Sequence, residues 1–277
     1  MMIRLANIMT PVYDEILEDV KGGVIIYADE TGWRVKGVLW WLWIFANDRA
    51  AYYWPDRKRG SAVVEKILGT IFSGVLVTDA WHAYMKIICA KQTCMAHIFR
   101  KIRKYRDAYP QYYSIVMFYK KLRRILMDGE RLQQTRSEIG EEAFQRRLSL
   151  LHERLDSILS WGKPNDVLKE VIKKVKRQRK YILTFVEHAG VPNHNNYGEY
   201  IIKKGILKRK VSGGSMSEEG VRAYAILQSI SQTCHLRKLS FLKFLAASCL
   251  HYIRTQKPLL LKDYESLKES KPLKKAA

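Results

Sequence analysis

The chain has 277 residues, 47% of them hydrophobic, which is enough to build the core of one large domain or two modest ones. It carries 49 Lys and Arg against 27 Asp and Glu, a formal net charge of +22, and such a basic surface favours a polyanionic partner through counterion release. The longest apolar run, residues 37 to 46, is too short to span a bilayer as a helix, and the four cysteines lack the spacing of a disulfide framework. No secretory leader is expected, because the first 20 residues have no continuous apolar core, and the cysteines read as free thiols of a reducing cytoplasm.

In chain order, residues 9 to 20 read as a short amphipathic helix that begins near Pro11 and ends at Gly22 and Gly23. Three strands follow: residues 24 to 28, residues 33 to 46 with a turn near Lys36 and Gly37, and residues 50 to 54. Tight turns between them predict an antiparallel meander, with Trp33, Trp40, Trp41 and Trp43 in its core. The segment RGSAVVEKILG reads as a helix capped by Ser61 and stopped by Gly69. SGVLVTD is an all-apolar run ending on Asp79, the pattern of a strand buried on both faces. A helix over residues 80 to 88, a short strand near residues 91 to 94 and a basic helix, CMAHIFRKIRKYRDAY, come next.

From Pro110 to Ala189 charges recur at helical spacing and β-runs are nearly absent, so residues 110–190 are expected to form an inserted all-α subdomain. The loop GVPNHNNYGEY closes it and leads to the basic segment IIKKGILKRKVSGG and two more helices. The domain reading is therefore a lead-in (residues 1–22), a first core part (23–109), the helical insertion (110–190), a second core part (191–256) and a basic, poorly ordered tail (257–277).

Asp29 and Asp79 each follow an apolar run and precede a turn. In open α/β sheets ligands gather at the ends of strands, and two neighbouring carboxylates need a cation or a shared proton. Mg²⁺ accepts few protein carboxylates and keeps positions for water and phosphate, and a pair of such ions stabilises both oxygens of an in-line phosphoryl displacement. Taken singly, an Asp after a strand is more often a turn former or helix cap. Glu30 competes with Asp29, but adjacent strand residues point to opposite faces, so only one of the two can reach a shared site. For a third acid Glu187, Glu199, Glu218 and Glu219 stay open, although Glu218 and Glu219 open a helix after Ser217, where acids suit the dipole. Cys94 and His97 supply two ligands where structural zinc needs four, so core packing for Cys94 and a hydrogen-bonding or DNA-facing role for His97 are expected. Trp81 and His82, directly after Asp79, are the aromatic positions expected to line the site.

Four blocks in order carry a family resemblance: ADETGWRVKGVLWWLWIFAN, GVLVTDAWHAY, QTCMAHIFRKIR and NNYGEYIIKKGILKRKVSGGSMSEEG. Together they resemble the insertion-sequence transposases of family 66 over about residues 5 to 254. The resemblance implies an α/β fold, a ribonuclease H-like mixed sheet flanked by helices and interrupted by a helical insertion. It implies a DDE triad of Asp29, Asp79 and Glu199, which would bind Mg²⁺ (or Mn²⁺) and cut DNA at a transposon end, exposing a 3′-hydroxyl that attacks target DNA. His97, Arg100, Lys101, Arg103 and Lys104 in the third block, and Lys203, Lys204, Lys208, Arg209 and Lys210 in the fourth, are the expected DNA contacts. The family's usual Ala before the Glu is Gly198 here, the Arg after it is Tyr200, and a second Arg is Lys203, which keeps charge but not a bidentate fork. A homo-oligomer is expected, with end recognition on a separate domain or protein. Two other readings share the composition: a non-catalytic transposase product that only binds DNA or a partner, and another ribonuclease H-like nuclease such as a junction resolvase.

Overall fold

The Trp-rich stretch folds as a hairpin. β1 (Ile25–Val35) and β2 (Val38–Ala46) run antiparallel, from Val35 opposite Val38 to Tyr27 opposite Ala46. The two-residue turn between them places Lys36 and Gly37 at φ of 50° and 78°, the left-handed pair whose twist matches the flanking strands. β3 (Ala51–Asp56) pairs antiparallel with β2, and the connecting turn is tied by Asn47 Oδ1, which accepts from the backbone N–H of Arg49 and Ala50. With β4 (Ile71–Thr78) and β5 (Ile88–Thr93) these strands form one mixed five-stranded sheet in the order β3-β2-β1-β4-β5.

This computed structural model describes residues 1–161 and 166–269, and the end of the Lys-rich tail lies outside them. The described α-helices, in chain order, begin with α1 (Met2–Ile8), α2 (Thr10–Lys21), α3 (Ser61–Leu68), α4 (Met95–Ala108) and α5 (Tyr113–Gln134). They continue with α6 (Arg136–Ile139), α7 (Glu141–Leu159), α8 (Asp166–Lys176) and α9 (Thr184–Glu187). The last four are α10 (Asn196–Ser212), α11 (Glu218–Leu236), α12 (Phe241–Thr255) and α13 (Leu261–Glu269). None of the described helices is long and apolar enough to cross a membrane.

The sequence places acid at the end of the first strand, and the structure corrects this. β1 continues through Asp29, Glu30, Thr31 and Gly32, which lie opposite Ile44, Trp43, Leu42 and Trp41. The hairpin gives each of these residues a cross-strand neighbour in β2, and that pairing outweighs the local turn preference of Asp and Gly. Three other boundaries move. Gly60, not Ser61, is the N-cap of α3. The expected helix over residues 80 to 88 is a single 3₁₀ turn, His82–Tyr84. The loop and basic segment around Glu199 are one 17-residue helix, α10.

The chain divides into two compact units. The first comprises Met1–Phe72, Ala83–Ile87 and the chain from Tyr197 onward. Its core lies on one face of the hairpin, where Trp33, Trp40, Leu42, Ile44 and Tyr53 pack against Ile201, Ile202, Val221 and Tyr224. The ring of Trp33 stacks on Tyr224 at 4.9 Å. Ser229 and Thr233 of α11 accept from the backbone N–H of Tyr53 and Ala51, which covers the edge of β3 that would otherwise be open to further pairing. Of the tail residues that are described, Leu261–Glu269 form α13: Glu15 accepts from the N–H groups of Leu261 and Lys262 at its start, and Leu261 is fully buried.

The second unit comprises Ser73–His82 and Ile88–Asn196. Its described elements between residues 110 and 190 are all helical. α5 buries Ile115, Phe118, Leu122, Ile125, Leu126 and Leu132, and α7 buries Phe144, Leu148, Leu151, Leu155 and Ile158, spacings that place one apolar stripe on each helix. Gln92 on β5 is buried and bonded at both ends, donating to Ile182 O and accepting from Phe185 N, so the strand is pinned to the segment that leads into α9.

Candidate active site and nucleic-acid interface

In the first unit the two adjacent acids of β1 do separate onto opposite faces. Glu30 points to the side of α3. Its side chain is only 1% exposed and accepts from Arg59 Nε at 3.0 Å and Nη2 at 2.8 Å, while its second oxygen accepts from the Tyr84 hydroxyl. Arg59 Cζ in turn lies over the ring of Trp41, 4.2 Å from its centroid. A buried carboxylate satisfied in this way is a structural ion pair, and it accounts for why two acids stand side by side in β1. Arg59 and Tyr84 are absent from the sequence-based candidates. Tyr84 closes the second motif block, which was the one signal for it.

Asp29 lies on the other face, half-buried, with Oδ1 accepting from its neighbour's N–H at 2.8 Å. α10 runs along that same face. Tyr197 meets Tyr27, two residues before Asp29, with ring centroids 4.8 Å apart. Arg209 donates to Thr31 Oγ1 at 3.0 Å and to Gly32 O, two and three residues after Asp29. Glu199 is in the first turn of α10, so the helix that carries the third candidate acid is the one anchored beside the first. The Tyr53 hydroxyl adds a buried bond to Ile201 O at 2.8 Å. Of the basic residues expected on this segment, Lys203, Lys204 and Lys210 are exposed. Arg209 instead turns inward as the anchor just described. The side chain of Lys208 lies outside the described residues.

In the second unit Asp79 follows the last residue of β4. Its Oδ1 accepts from Trp81 N at 2.9 Å, so the carboxylate closes an Asx turn and is held in one orientation. The preceding Thr78 is buried and its carbonyl accepts from Cys94 N at 2.7 Å, which ties the end of β4 to the start of α4. The rings of Trp81 and His82 lie 4.3 Å apart. The Cys94 thiol is buried and accepts from Asn195 N at 3.1 Å, the packing role expected for it, and His97 stands one turn along the same helix. Arg100, Lys101, Arg103 and Lys104 are all exposed on α4. Each unit thus presents a half-buried acid of β-sheet origin together with exposed cations, a combination able to bind phosphate through Lys and Arg and a hard cation through carboxylate.

A family model described as "Transposase IS66 family" matches residues 1–223. Among curated proteins the chain is similar to the uncharacterized protein y4qI of Sinorhizobium fredii (strain NBRC 101917 / NGR234), 26% identical over 267 residues that cover 84% of this chain and 48% of that protein. It is also similar to the uncharacterized protein y4jO of the same organism, 31% identical over 78 residues, 28% of this chain and 24% of that protein. The chain therefore spans less than half the length of either curated relative it matches.

Proposed function

The chain belongs to the IS66 family of transposases, and from that premise we propose that it is the catalytic part of a DDE-type DNA transposase with a ribonuclease H-like core. The observation that carries this reading is the family match itself, which runs through residues 1–223 and so contains Asp29, Asp79 and Glu199. The placement of α10 along the Asp29 face of β1 supports it within the first unit, and the Asx turn that orients Asp79 supports it within the second.

The donor set fits Mg²⁺, or Mn²⁺ in its place, because three carboxylates are hard oxygen ligands and few enough to leave room for water and phosphate oxygens. The metal would supply Lewis-acid stabilisation of the oxygens that gain charge during phosphodiester displacement. The chain's own residues do the rest. Asp29, Asp79 and Glu199 would hold the cation, and the exposed cations of α4 and α10 would hold the DNA backbone. In the first reaction water bonds to phosphorus and the bond from phosphorus to the 3′ oxygen breaks, leaving a 3′-hydroxyl and a 5′-phosphate. In the second, that hydroxyl bonds to a phosphorus of target DNA and displaces the 3′ oxygen there, which takes up a proton.

The test is nicking of a supercoiled plasmid in Mg²⁺ or Mn²⁺. Wild type is expected to nick, and Asp29→Ala, Asp79→Ala and Glu199→Ala each to lose about 10³-fold in rate, the equivalent of several kcal/mol of transition-state stabilisation. Circular dichroism confirms that the variants fold. Nicking retained in all three variants overturns the assignment.

A further inference from the structure

The helical part of the second unit carries an open groove that the acids do not explain. Four cations line it, Lys101 and Lys104 from α4, Lys174 from α8 and Arg177 directly after α8, together with Tyr105 and Tyr109. No carboxylate is among the described residues that line it. Beside it, Ile98 and Ile102 of α4 and Val171 and Val175 of α8, all buried, line a neighbouring cavity that shares Lys101, Tyr105 and Lys174 with the groove. Lys174 donates to the Tyr105 hydroxyl and lies 4.6 Å from the centroid of its ring, which holds cation and aromatic together. Tyr109 is 39% exposed and presents a ring to the groove while lying against Tyr112, 6.1 Å between centroids.

We propose that this groove binds one unpaired DNA strand, with its phosphates on the four cations and a base stacked on Tyr109. The inference rests on the reading that DNA is the substrate, and it adds a site away from the acids. Charge selects a polyanion. Aromatic content selects a single strand, because the exposed ring of Tyr109 offers a face on which a base can stack. A duplex would touch the outer cations alone and would keep its base faces stacked inside, out of reach of Tyr109. An unpaired strand can give a base face to the tyrosine whatever its sequence.

The experiment uses the full chain in EDTA, with fluorescence anisotropy of a labelled oligo-dT strand and of a duplex of equal length. The double variant Lys174→Ala/Arg177→Ala is expected to bind oligo-dT about tenfold more weakly, with a salt slope shallower by about 1.4, at ~0.7 for each lost phosphate contact on a single strand. Tyr109→Ala is expected to lose about tenfold with its salt slope unchanged, and Tyr109→Phe to restore binding. A control with equal charge removed from α12, Lys243→Ala/Arg254→Ala, is expected to bind oligo-dT as wild type does. Duplex affinity is expected to fall by less than oligo-dT affinity in the groove variants, because a duplex reaches only the outer cations. Oligo-dT binding unchanged in the groove variants, or equal losses for strand and duplex, overturns the proposal. Because no metal is present, nicking by the wild type in Mg²⁺ is a separate result. A chain that nicks but shows no groove effect loses only this inference, and one that binds oligo-dT through the groove without nicking loses only the catalytic reading.

Discussion

Glu30 is the residue at which burial and charge conflict most sharply, and its three hydrogen bonds resolve the conflict. Removing one partner of such a pair leaves a charge in a poorly solvated place, so Glu30→Ala is expected to destabilise the protein by about 2–3 kcal/mol, less than a fully buried pair because Arg59 keeps a third of its surface in solvent. Glu30→Gln should cost less, since its amide oxygen can still accept from Arg59. Urea unfolding of the three proteins checks the order, and equal midpoints for wild type and Glu30→Ala would contradict it. The alternation of β1 already puts Asp29 and Glu30 on opposite faces in the sequence. The partners are another matter: Arg59 returns from 29 residues further on and Tyr84 from 54, and no local pattern announces which distant cation or hydroxyl will close on a buried acid.

At the scale of elements, α10 is the piece that the sequence disguises. Two glycines, a run of lysines and asparagines before it give NNYGEYIIKKGILKRK the look of a loop, because Gly198 and Gly205 lower helix propensity and the cations blur the apolar stripe. Tertiary packing decides otherwise: Ile201 and Ile202 are buried, and Gly205 faces the ring of Tyr53. A Cβ at Gly205 would come within 2.3 Å of Tyr53 Cε1, and that ring is fixed by its hydroxyl bond to Ile201 O and by the backbone bond of Tyr53 to Ser229. Gly205→Ala gains up to about 1 kcal/mol of helix propensity and loses about 1–3 kcal/mol to overpacking, so it is expected to destabilise by about 1–2 kcal/mol. It should also slow nicking, because the helix it displaces carries Glu199. A higher urea midpoint in the variant would show that α10 can shift without strain. By contrast, the antiparallel pairing and the turn at Lys36 and Gly37 were legible from β-forming apolar runs on either side of a Lys-Gly pair. The division between the strands is misplaced by those local signals: they end the first at residue 28 and give residues 33 to 35 to the second, whereas pairing with β2 overrides the turn chemistry of Asp-Glu-Thr-Gly and carries β1 through to Val35.

At the scale of the whole molecule, a net charge of +22 would let the proposed holding of DNA be separated from its proposed cutting. The cations are spread over α4, α8 and α10, and the proposed catalytic acids are three carboxylates among them. Replacing all three by alanine raises the net charge by three from +22, so it removes local repulsion of phosphate without removing any cation. The triple variant Asp29→Ala/Asp79→Ala/Glu199→Ala is therefore expected to bind a duplex at least as tightly as wild type while nicking is lost. Its salt dependence should match as well. With about six phosphates neutralised, affinity falls by about 10³ between 50 and 200 mM salt in both proteins. Filter binding across that range in EDTA measures the slope directly. A triple variant that binds more weakly, or with a shallower slope, would mean that the acids organise the cationic surface through the fold, and retention and chemistry would then share one set of residues.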